Sequence, residues 1–252
     1  PEPCCIFINS TDIVYALMKQ LDLLEQSAVF CAPKSVEKLK RNKFKNASEQ
    51  WDKSKMKQYN FFTSRFFNAV DIELEERPDV IILTDVFFAE HTMIDPHTDT
   101  IQIVGRFRNG ISSITHISNT NKGLPQRTQD EIRGYLICSK EIYRIMKNFY
   151  DCASDRASRD AYRAALESLR MLDKDGKENW FAIDNYMDEE IMKNYYHDEN
   201  CLCEAYNNCT SFLPYHEGFY YSVGDSERLK RENKSQSIKE KRKEIVRQLE
   251  ML

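Results

Sequence analysis

Arg106 and Arg108 are the residues whose chemistry can be stated most directly from the sequence. They belong to segment 99–110, which reads Asp-Thr-Ile-Gln-Ile-Val-Gly-Arg-Phe-Arg-Asn-Gly. The planar guanidinium group keeps its charge at physiological pH and donates paired hydrogen bonds, so it can stabilise the charge on a departing γ-phosphate. These arginines are therefore candidates for nucleoside-triphosphate chemistry. The alternative is that they are surface arginines at the end of a helix.

A second polar pair follows an apolar strand-like run. Segment 61–71 places Thr63 just after the run and Asp71 eight positions later. An earlier apolar run, residues 5–10, reads Cys-Ile-Phe-Ile-Asn-Ser and leads into a helical pattern.

These segments resemble the motifs of superfamily 2 helicases and translocases. Segment 61–71 looks like motif V, and segment 99–110 looks like motif VI through its Gln-x-x-Gly-Arg signature, here Gln102, Gly105 and Arg106. The earlier apolar run and the helix after it are similar to motif IV. The resemblance covers roughly the first 120 residues. It implies the second RecA-like lobe of a two-lobed motor, an α/β fold with a three-layer parallel sheet.

The resemblance also implies a role for each matched residue. Arg106, with Arg108 beside it, would stabilise the γ-phosphate of ATP. Gln102 would contact the phosphates or hold Arg106, and its alternative is a polar residue on a helix face. Asp71 would contact the nucleotide sugar or link to motif VI, and its alternative is a turn acid. Gly105 would allow a neighbour to approach the backbone closely.

The chain departs from the family pattern at two positions. The second family arginine usually lies three residues after the first, where this chain has Asn109, one place beyond Arg108. The family usually has glycine two positions before the motif V acid, where this chain has Ala69.

Five residues are candidates for holding the phosphates of a nucleic-acid strand. Thr63, Ser64 and Ser10 resemble family residues whose hydroxyl groups and backbone amides do this. Ser35, at a helix start, could use the amides of the helix N-terminus. Lys34 supplies a positive charge beside it. Such contacts position a strand and carry no sequence information.

Lys34 begins a strongly basic segment. Residues 34–58 hold nine basic side chains against three acidic ones, with Phe44 and Trp51 between them. This composition is typical of a solvated helix and loop. It is equally typical of a phosphate-contacting patch with an aromatic ring available for stacking.

Two motifs of a complete motor are not found in the sequence. There is no Gly-x-x-x-x-Gly-Lys-Ser/Thr phosphate loop and no Asp-Glu-x-x box after an apolar strand. We therefore expect a first RecA-like lobe, missing from these residues, to bind most of the ATP and Mg²⁺. The chain begins at Pro1 rather than Met, which indicates a piece of a longer protein. By itself it is expected to hydrolyse no ATP.

Composition limits the other possibilities. The chain has 252 residues, a formal net charge of −4 and 30% charged residues. This balance excludes a wholly basic nucleic-acid coat, so binding would use local patches. No apolar run is long enough to span a membrane, and no secretory signal is visible. We expect DNA rather than RNA as the partner, and a cytoplasmic location.

The eight cysteines do not require a disulfide framework, because the chain is long enough to form a sizeable core. Cys5, Cys31 and Cys138 stand among apolar residues and are expected to be small buried hydrophobes. One further group could suggest zinc: His197, Cys201, Cys203, Cys209 and His216. Its spacing differs from the usual zinc knuckle, so buried thiols are the preferred interpretation and no metal is predicted.

The pattern of apolar residues predicts the elements that position these side chains. Strands are expected at 4–9, 28–32, 58–63, 80–84 and 112–117, with 80–84 buried on both faces. Ser10 or Thr11 can cap a helix whose sheet-facing residues would be Ile13, Leu17, Leu21 and Leu24. Motif VI is expected on a helix. Strands alternating with helices predict a parallel sheet.

The second half of the chain is expected to be different. Gly123 and Pro125 lie in a predicted loop, so we divide the chain into a lobe at 1–121 and a mostly helical accessory region at 122–252. That region has helical patterns at 128–151 and 157–172. Its aromatic residues between 180 and 221 are expected to bury large areas against each other, and an amphipathic helix is expected from Ser226 onward.

The function expected from these patterns is the C-terminal motor lobe of an ATP-dependent helicase or translocase. One alternative is a RecA-like lobe without catalysis, which only binds nucleic acid or protein partners. Another is an ordinary α/β domain in which Gln-x-x-Gly-Arg occurs by chance. In that case Arg106 need not lie near Thr63 and Asp71.

Overall fold

The computed structural model describes residues 3–68, 70–169 and 177–219. Residues 1–214 form one compact unit and Tyr215 begins a second. The helix expected from Ser226 onward lies outside the described residues. The predicted boundary at residue 121 therefore separates a sheet region from helices that belong to the same compact unit.

A six-stranded sheet forms the centre of the first unit. Every strand pairs in parallel, and the spatial order is β3-β2-β4-β1-β5-β6. The α/β class with a parallel sheet, expected from the sequence, is confirmed. The strands are β1 Cys4–Phe7, β2 Ser27–Phe30, β3 Ala47–Ser48, β4 Tyr59–Phe62, β5 Asp79–Thr84 and β6 Ser113–Ser118.

Helices connect the strands and continue after the sheet, as predicted for the second half. Ser10 caps the first helix by accepting a hydrogen bond from the backbone amide of Ile13, and Pro33 begins the second helix. The helices are α1 Thr11–Gln20, α2 Pro33–Arg41, α3 Arg65–Asn68, α4 Asp99–Gly105, α5 Gln129–Cys152, α6 Arg156–Ser168, α7 Trp180–Tyr195 and α8 Glu199–Asn207.

Both faces of the sheet carry a hydrophobic core, because successive strand residues point to opposite sides. On one face Phe62 stacks between Phe7 and Phe30, with 5.0 Å between ring centroids on each side. Buried residues of α3 and α4 complete this core. On the other face Ile6 and Phe61 pack against residues of α1 and α2. The sheet and its two helical layers thus form three layers.

The sheet-facing side of α1 differs from the prediction. Val14 and Met18 are fully buried, whereas Leu17 is only partly buried and Leu21, just after the helix, is exposed. Two neighbouring stripes of α1 carry apolar residues, and helical spacing alone cannot show which one meets the sheet. Packing against α2 and the sheet decides it.

Strand β5 is less covered than expected. Val80, Ile82 and Thr84 are buried, but Ile81 and Leu83 are only partly buried. The α1–α2 layer is centred on β1, β2 and β4. The expectation of a strand buried on both faces was therefore wrong for one face.

Two further burial predictions need correction. Cys5 and Cys31 are buried as expected, but Cys138 is exposed on α5. Among the aromatic residues after position 180, Tyr196 is fully buried, while Trp180, Phe181 and Phe219 are exposed. Apolar character does not itself decide burial, because a helix buries only the face that meets a neighbour.

Candidate functional site

The predicted strand-holding residues lie along one edge of the sheet. Lys34 and Ser35 follow β2, Thr63 and Ser64 follow β4, and Ser10 follows β1. These three strands are neighbours and run in parallel, so their carboxyl ends meet at the same edge, where α/β proteins usually bind ligands. The structure therefore brings all five residues to one edge.

Their accessibility differs. Ser64 and Lys34 are exposed, and Ser35 is half-buried in the first turn of α2. Ser10 and Thr63 are buried. Ser10 caps α1, and the amide of Thr63 donates a 3.1 Å hydrogen bond to the carbonyl of Phe30. Ser64 and Lys34 are thus the accessible members of this edge.

The predicted nucleotide residues form a separate group on the outside of the α3–α4 layer. The backbone joins the two motifs: the amide of Ile72 donates to the carbonyl of Arg106 over 2.8 Å, and the amide of Arg108 donates to the carbonyl of Ile72 over 3.2 Å. Phe107 lies between the arginines and packs edge-on against Phe7 in the core. This local bridge fixes Asp71 opposite both arginines.

The carboxylate of Asp71 forms ion pairs with both guanidinium groups. Its Oδ1 lies 2.6 Å from Nη2 of Arg108 and 3.6 Å from Nη1 of Arg106. The 2.6 Å contact is a charge-assisted hydrogen bond. All three side chains reach solvent, with exposed fractions of 25% for Arg106, 50% for Arg108 and 51% for Asp71. We call these three residues the arginine cluster.

Arg106 is held more firmly than Arg108. Its Nε donates to the carbonyl of Gln102 over 3.3 Å, and its Nη1 donates to the carbonyl of Asn68 over 3.2 Å. The side chain of Gln102 is exposed, so Gln102 holds Arg106 through its backbone carbonyl, which any residue could provide. In Arg108, Nη1 donates to the carbonyl of Gly105 over 3.4 Å.

Gly105 is the last residue of α4 and is exposed. A Cβ atom built at this position would have no other atom within 4 Å. The close backbone approach expected here is therefore not made by any described part of this chain. The surface above Gly105 is open beside the arginine cluster.

Asn109, at the position of the second family arginine, has a structural role. Its Nδ2 donates to the carbonyl of Leu74 over 2.7 Å, and its own carbonyl accepts from Nε of Arg77 over 3.1 Å. These bonds fasten the loop that follows Asp71. Arg108, one residue earlier, is the side chain that points to Asp71.

A buried chain of hydrogen bonds beneath α4 was not predicted. Thr84 Oγ1 donates to the carbonyl of Thr92, so it accepts from Nε2 of His116 over 3.0 Å. Nδ1 of the neutral ring then accepts from Oη of Tyr206 over 2.6 Å, and this oxygen lies 3.3 Å from Oγ1 of Thr100 on α4. We call this the His116 network.

Burial sets the protonation states in the His116 network. It lowers the pKa of His116 to about 4 and raises the pKa of Tyr206 to about 12. Both groups are therefore neutral at physiological pH. Since the network joins β5, β6, α4 and α8, the helices after the sheet help to position the helix that leads into Arg106. No local sequence signal distinguishes His116 from other strand residues.

One exposed aromatic residue was also not singled out from the sequence. Phe87 follows β5, which pairs with β1, and its side chain is exposed at the same edge as Ser10. Asn119 fixes the turn that carries it: its amide nitrogen donates to Asp85 over 2.7 Å, and its oxygen accepts from the amide of Val86 over 2.8 Å. A flat apolar ring is thus presented on a firmly bonded turn.

The sequence raised a zinc interpretation for His197, Cys201, Cys203, Cys209 and His216. Within the described ranges, no group of three or more His, Cys, Asp or Glu residues is arranged to hold a metal ion. Cys209 is buried, but Cys201 and Cys203 are half-buried, so the interpretation as buried thiols holds fully only for Cys209. His197 instead contacts the carbonyl of Leu124 over 3.0 Å.

Comparisons with protein-family models, with curated proteins and with solved structures returned no match to this chain. Among the residues described by the structure, no helix is both long enough and apolar enough to cross a membrane.

Proposed function

We propose that this chain is the second RecA-like lobe of an ATP-dependent nucleic-acid helicase or translocase. The observation that carries the proposal is the arginine cluster. Arg108 and Asp71 are 37 residues apart in sequence but lie 2.6 Å apart in space. They belong to the two segments that resemble motifs V and VI, and a backbone bridge between Ile72 and Phe107 joins these segments.

The cluster suits an arginine that acts on a phosphate held by another lobe. Arg108 is half exposed and is paired with a single carboxylate. A triphosphate carries more negative charge than Asp71 and could replace it as the partner of the guanidinium group. Arg106, which is fixed by two backbone carbonyls, would then stabilise the charge that develops on the γ-phosphate as water attacks it and ADP leaves.

The residues of this chain do not by themselves fit a complete site for ATP and Mg²⁺. The sequence has no phosphate-binding loop, and Asp71 is engaged by two arginines. A partner lobe would therefore hold the metal and most of the nucleotide. The open surface above Gly105 leaves room for that lobe to approach.

The carboxyl edge of the sheet would hold the nucleic-acid strand. Ser64 and Lys34 are accessible there for phosphate contacts. Phe87 lies at the same edge and could stack on a base, which is a sequence-tolerant contact. In this proposal, closing and reopening of the partner lobe shifts the strand along the edge.

One observation favours the second candidate, a lobe that binds partners without catalysis. Arg106 already makes hydrogen bonds to two carbonyl groups and an ion pair with Asp71. An arginine with these partners could have a purely structural role. The two candidates differ in whether ATP hydrolysis depends on Arg106.

Nucleic-acid-stimulated ATP hydrolysis tests the proposal. The measurement needs an ATP-binding partner lobe, either in a longer protein that contains this chain or as a separately added domain. Arg106→Ala is expected to lower turnover on the order of a thousandfold or more. Arg133→Ala is the control, because Arg133 lies on α5, outside the arginine cluster, and forms an ion pair with Asp130 three residues before it. Normal turnover in Arg106→Ala would contradict the motor assignment and favour the non-catalytic lobe.

A further inference from the structure

Helix α4, which leads into Arg106, is short and depends on its neighbours. It has seven residues, and a helix of this length is not stable on its own in water. Tertiary contacts must therefore fix its position. The buried residues of α4 are Thr100 and Ile103. Ile103 belongs to the core on that face of the sheet, so Thr100 provides the other buried contact.

Thr100 makes this contact with Tyr206 of α8. Oη of Tyr206 lies 3.3 Å from Oγ1 of Thr100. Since Tyr206 donates its hydroxyl hydrogen to Nδ1 of His116 over 2.6 Å, the hydroxyl group of Thr100 is the donor to Tyr206. Thr100 is 1% exposed, so loss of this bond would leave a buried hydroxyl group without its partner.

Two further contacts hold the segment that precedes α4. The hydroxyl group of Tyr196 accepts from the amide of Ile94 over 3.1 Å and donates to its carbonyl over 2.7 Å. Sγ of Cys209 donates to the carbonyl of Pro96 over 3.7 Å. With the bond to Thr100, the helices after the sheet therefore hold the start of α4 and the residues leading to it.

The position of Arg106 depends in turn on α4. Its amide donates to the carbonyls of Gln102 and Ile103 over 3.1 and 3.2 Å. Its Nε donates to the same carbonyl of Gln102 over 3.3 Å. Because these carbonyls belong to the last turn of α4, a shift of the helix would move the guanidinium group with it.

We propose that Tyr206 is a positioning residue for Arg106. This inference rests on the proposed function, because it concerns the ATP hydrolysis attributed to Arg106. The bond from Thr100 to Tyr206 fixes the first turn of α4, and α4 holds Arg106 where it reaches the γ-phosphate. A misplacement of about 1 Å, caused far from the reacting atoms, lowers a rate by up to about a hundredfold. The helices after the sheet are then part of the motor itself.

Turnover of ATP with the partner lobe present tests this role. Tyr206→Phe removes the hydroxyl group and keeps the ring, and it should lower kcat by about tenfold to about a hundredfold. KM for ATP should stay unchanged, because the partner lobe binds most of the nucleotide. Thr100→Val removes the other hydroxyl group and tests the same bond independently of Tyr206→Phe. It should lower kcat equally, and the double variant should lower kcat no further.

Two variants serve as matched controls. Thr100→Ser keeps the hydroxyl group and should retain the wild-type kcat. Tyr186 on α7 accepts a 2.8 Å hydrogen bond from Nη1 of Arg127. Tyr186→Phe thus removes one hydrogen bond within the region after the sheet, between two residues that lie outside α4. It should reduce the resistance to urea as much as Tyr206→Phe does and leave kcat unchanged.

Hydrogen exchange of the 252-residue chain measures the same effect without a partner lobe. The backbone amides of α4 should exchange several-fold faster in Tyr206→Phe and Thr100→Val than in the wild type, because the helix opens locally more often. In Tyr186→Phe they should exchange at the wild-type rate.

The outcomes separate this inference from the proposed function. Normal kcat in Tyr206→Phe beside a large loss in Arg106→Ala would overturn the positioning role alone. Unchanged exchange of the α4 amides, or an equal loss of kcat in Tyr186→Phe, would overturn it as well. Normal turnover in Arg106→Ala would contradict the proposed function, and the positioning role with it, whatever the exchange rates.

Discussion

The His116 network predicts that this protein loses stability in mild acid. In the native state burial lowers the pKa of His116 from 6.5 to about 4. As the pH falls below about 6.5, the unfolded chain takes up a proton at this ring and the native chain does not. The free energy of unfolding therefore falls, until the native ring is also protonated near pH 4.

The size of the effect follows from the two pKa values. Between pH 7.5 and pH 5, His116 should reduce the free energy of unfolding by about 2 kcal/mol. This contribution is separated from that of other groups by comparing the wild type with His116→Gln, which can still form a hydrogen bond but does not titrate. Urea unfolding at both pH values measures the difference.

We expect the wild type to have a higher free energy of unfolding than His116→Gln at pH 7.5. This difference should be smaller by about 2 kcal/mol at pH 5. His91→Gln serves as the control, because His91 is exposed in the loop after β5, and it should follow the wild type at both pH values. If His116→Gln and the wild type show the same dependence on pH, the native ring takes up a proton as readily as the unfolded one, and burial does not lower the pKa of His116.

Two other substitutions test the arrangement at the proposed site. Gly105→Ala should raise the free energy of unfolding by about 0.5–1 kcal/mol, since the new Cβ meets no atom within 4 Å; the same substitution should lower ATP hydrolysis with a partner lobe. Gly134→Ala, on α5 and also without an atom within 4 Å of the new Cβ, is the control. It should raise the free energy of unfolding, measured with urea, by a similar amount and leave ATP hydrolysis unchanged. Equal ATP hydrolysis by both variants would contradict the approach of a partner lobe to Gly105. Lys34→Ala should weaken the binding of single-stranded DNA, measured by fluorescence anisotropy. The slope of the logarithm of the binding constant against the logarithm of the salt concentration should become smaller by about 1. Lys147→Ala, whose charge is paired with Asp151, should change neither quantity, and an unaltered slope with Lys34→Ala would remove the carboxyl edge from the proposal.

Local patterns predicted most of the sheet. Apolar runs between polar turns gave β1, β2, β4 and β5 to within a few residues, because strands inside a parallel sheet are mostly apolar. Alternation of polar and apolar residues gave β6, which lies at the edge of the sheet. The short strand β3 was not predicted, since two residues, Ala47 and Ser48, leave no recognisable pattern.

The candidate site was predictable only in part. The resemblance of segments 61–71 and 99–110 to motifs V and VI singled out Arg106, Arg108 and Asp71, and these three residues lie together in the structure. The motif spacing did not predict that the side chain of Arg108, rather than that of Asn109, contacts Asp71. The bonds of Asn109 to Leu74 and Arg77 decide this, and they join segments more than thirty residues apart.

The sequence by itself determined the α/β class, the parallel sheet and the polar residues at the ends of its strands, because each depends on a short run of neighbouring residues. Only the tertiary structure decided which stripe of α1 meets the sheet, which cysteines are buried and which residues join His116 to α8. Each of these outcomes depends on a surface supplied by a distant part of the chain. A helix with two apolar stripes, such as α1, can bury either one until its neighbours are in place.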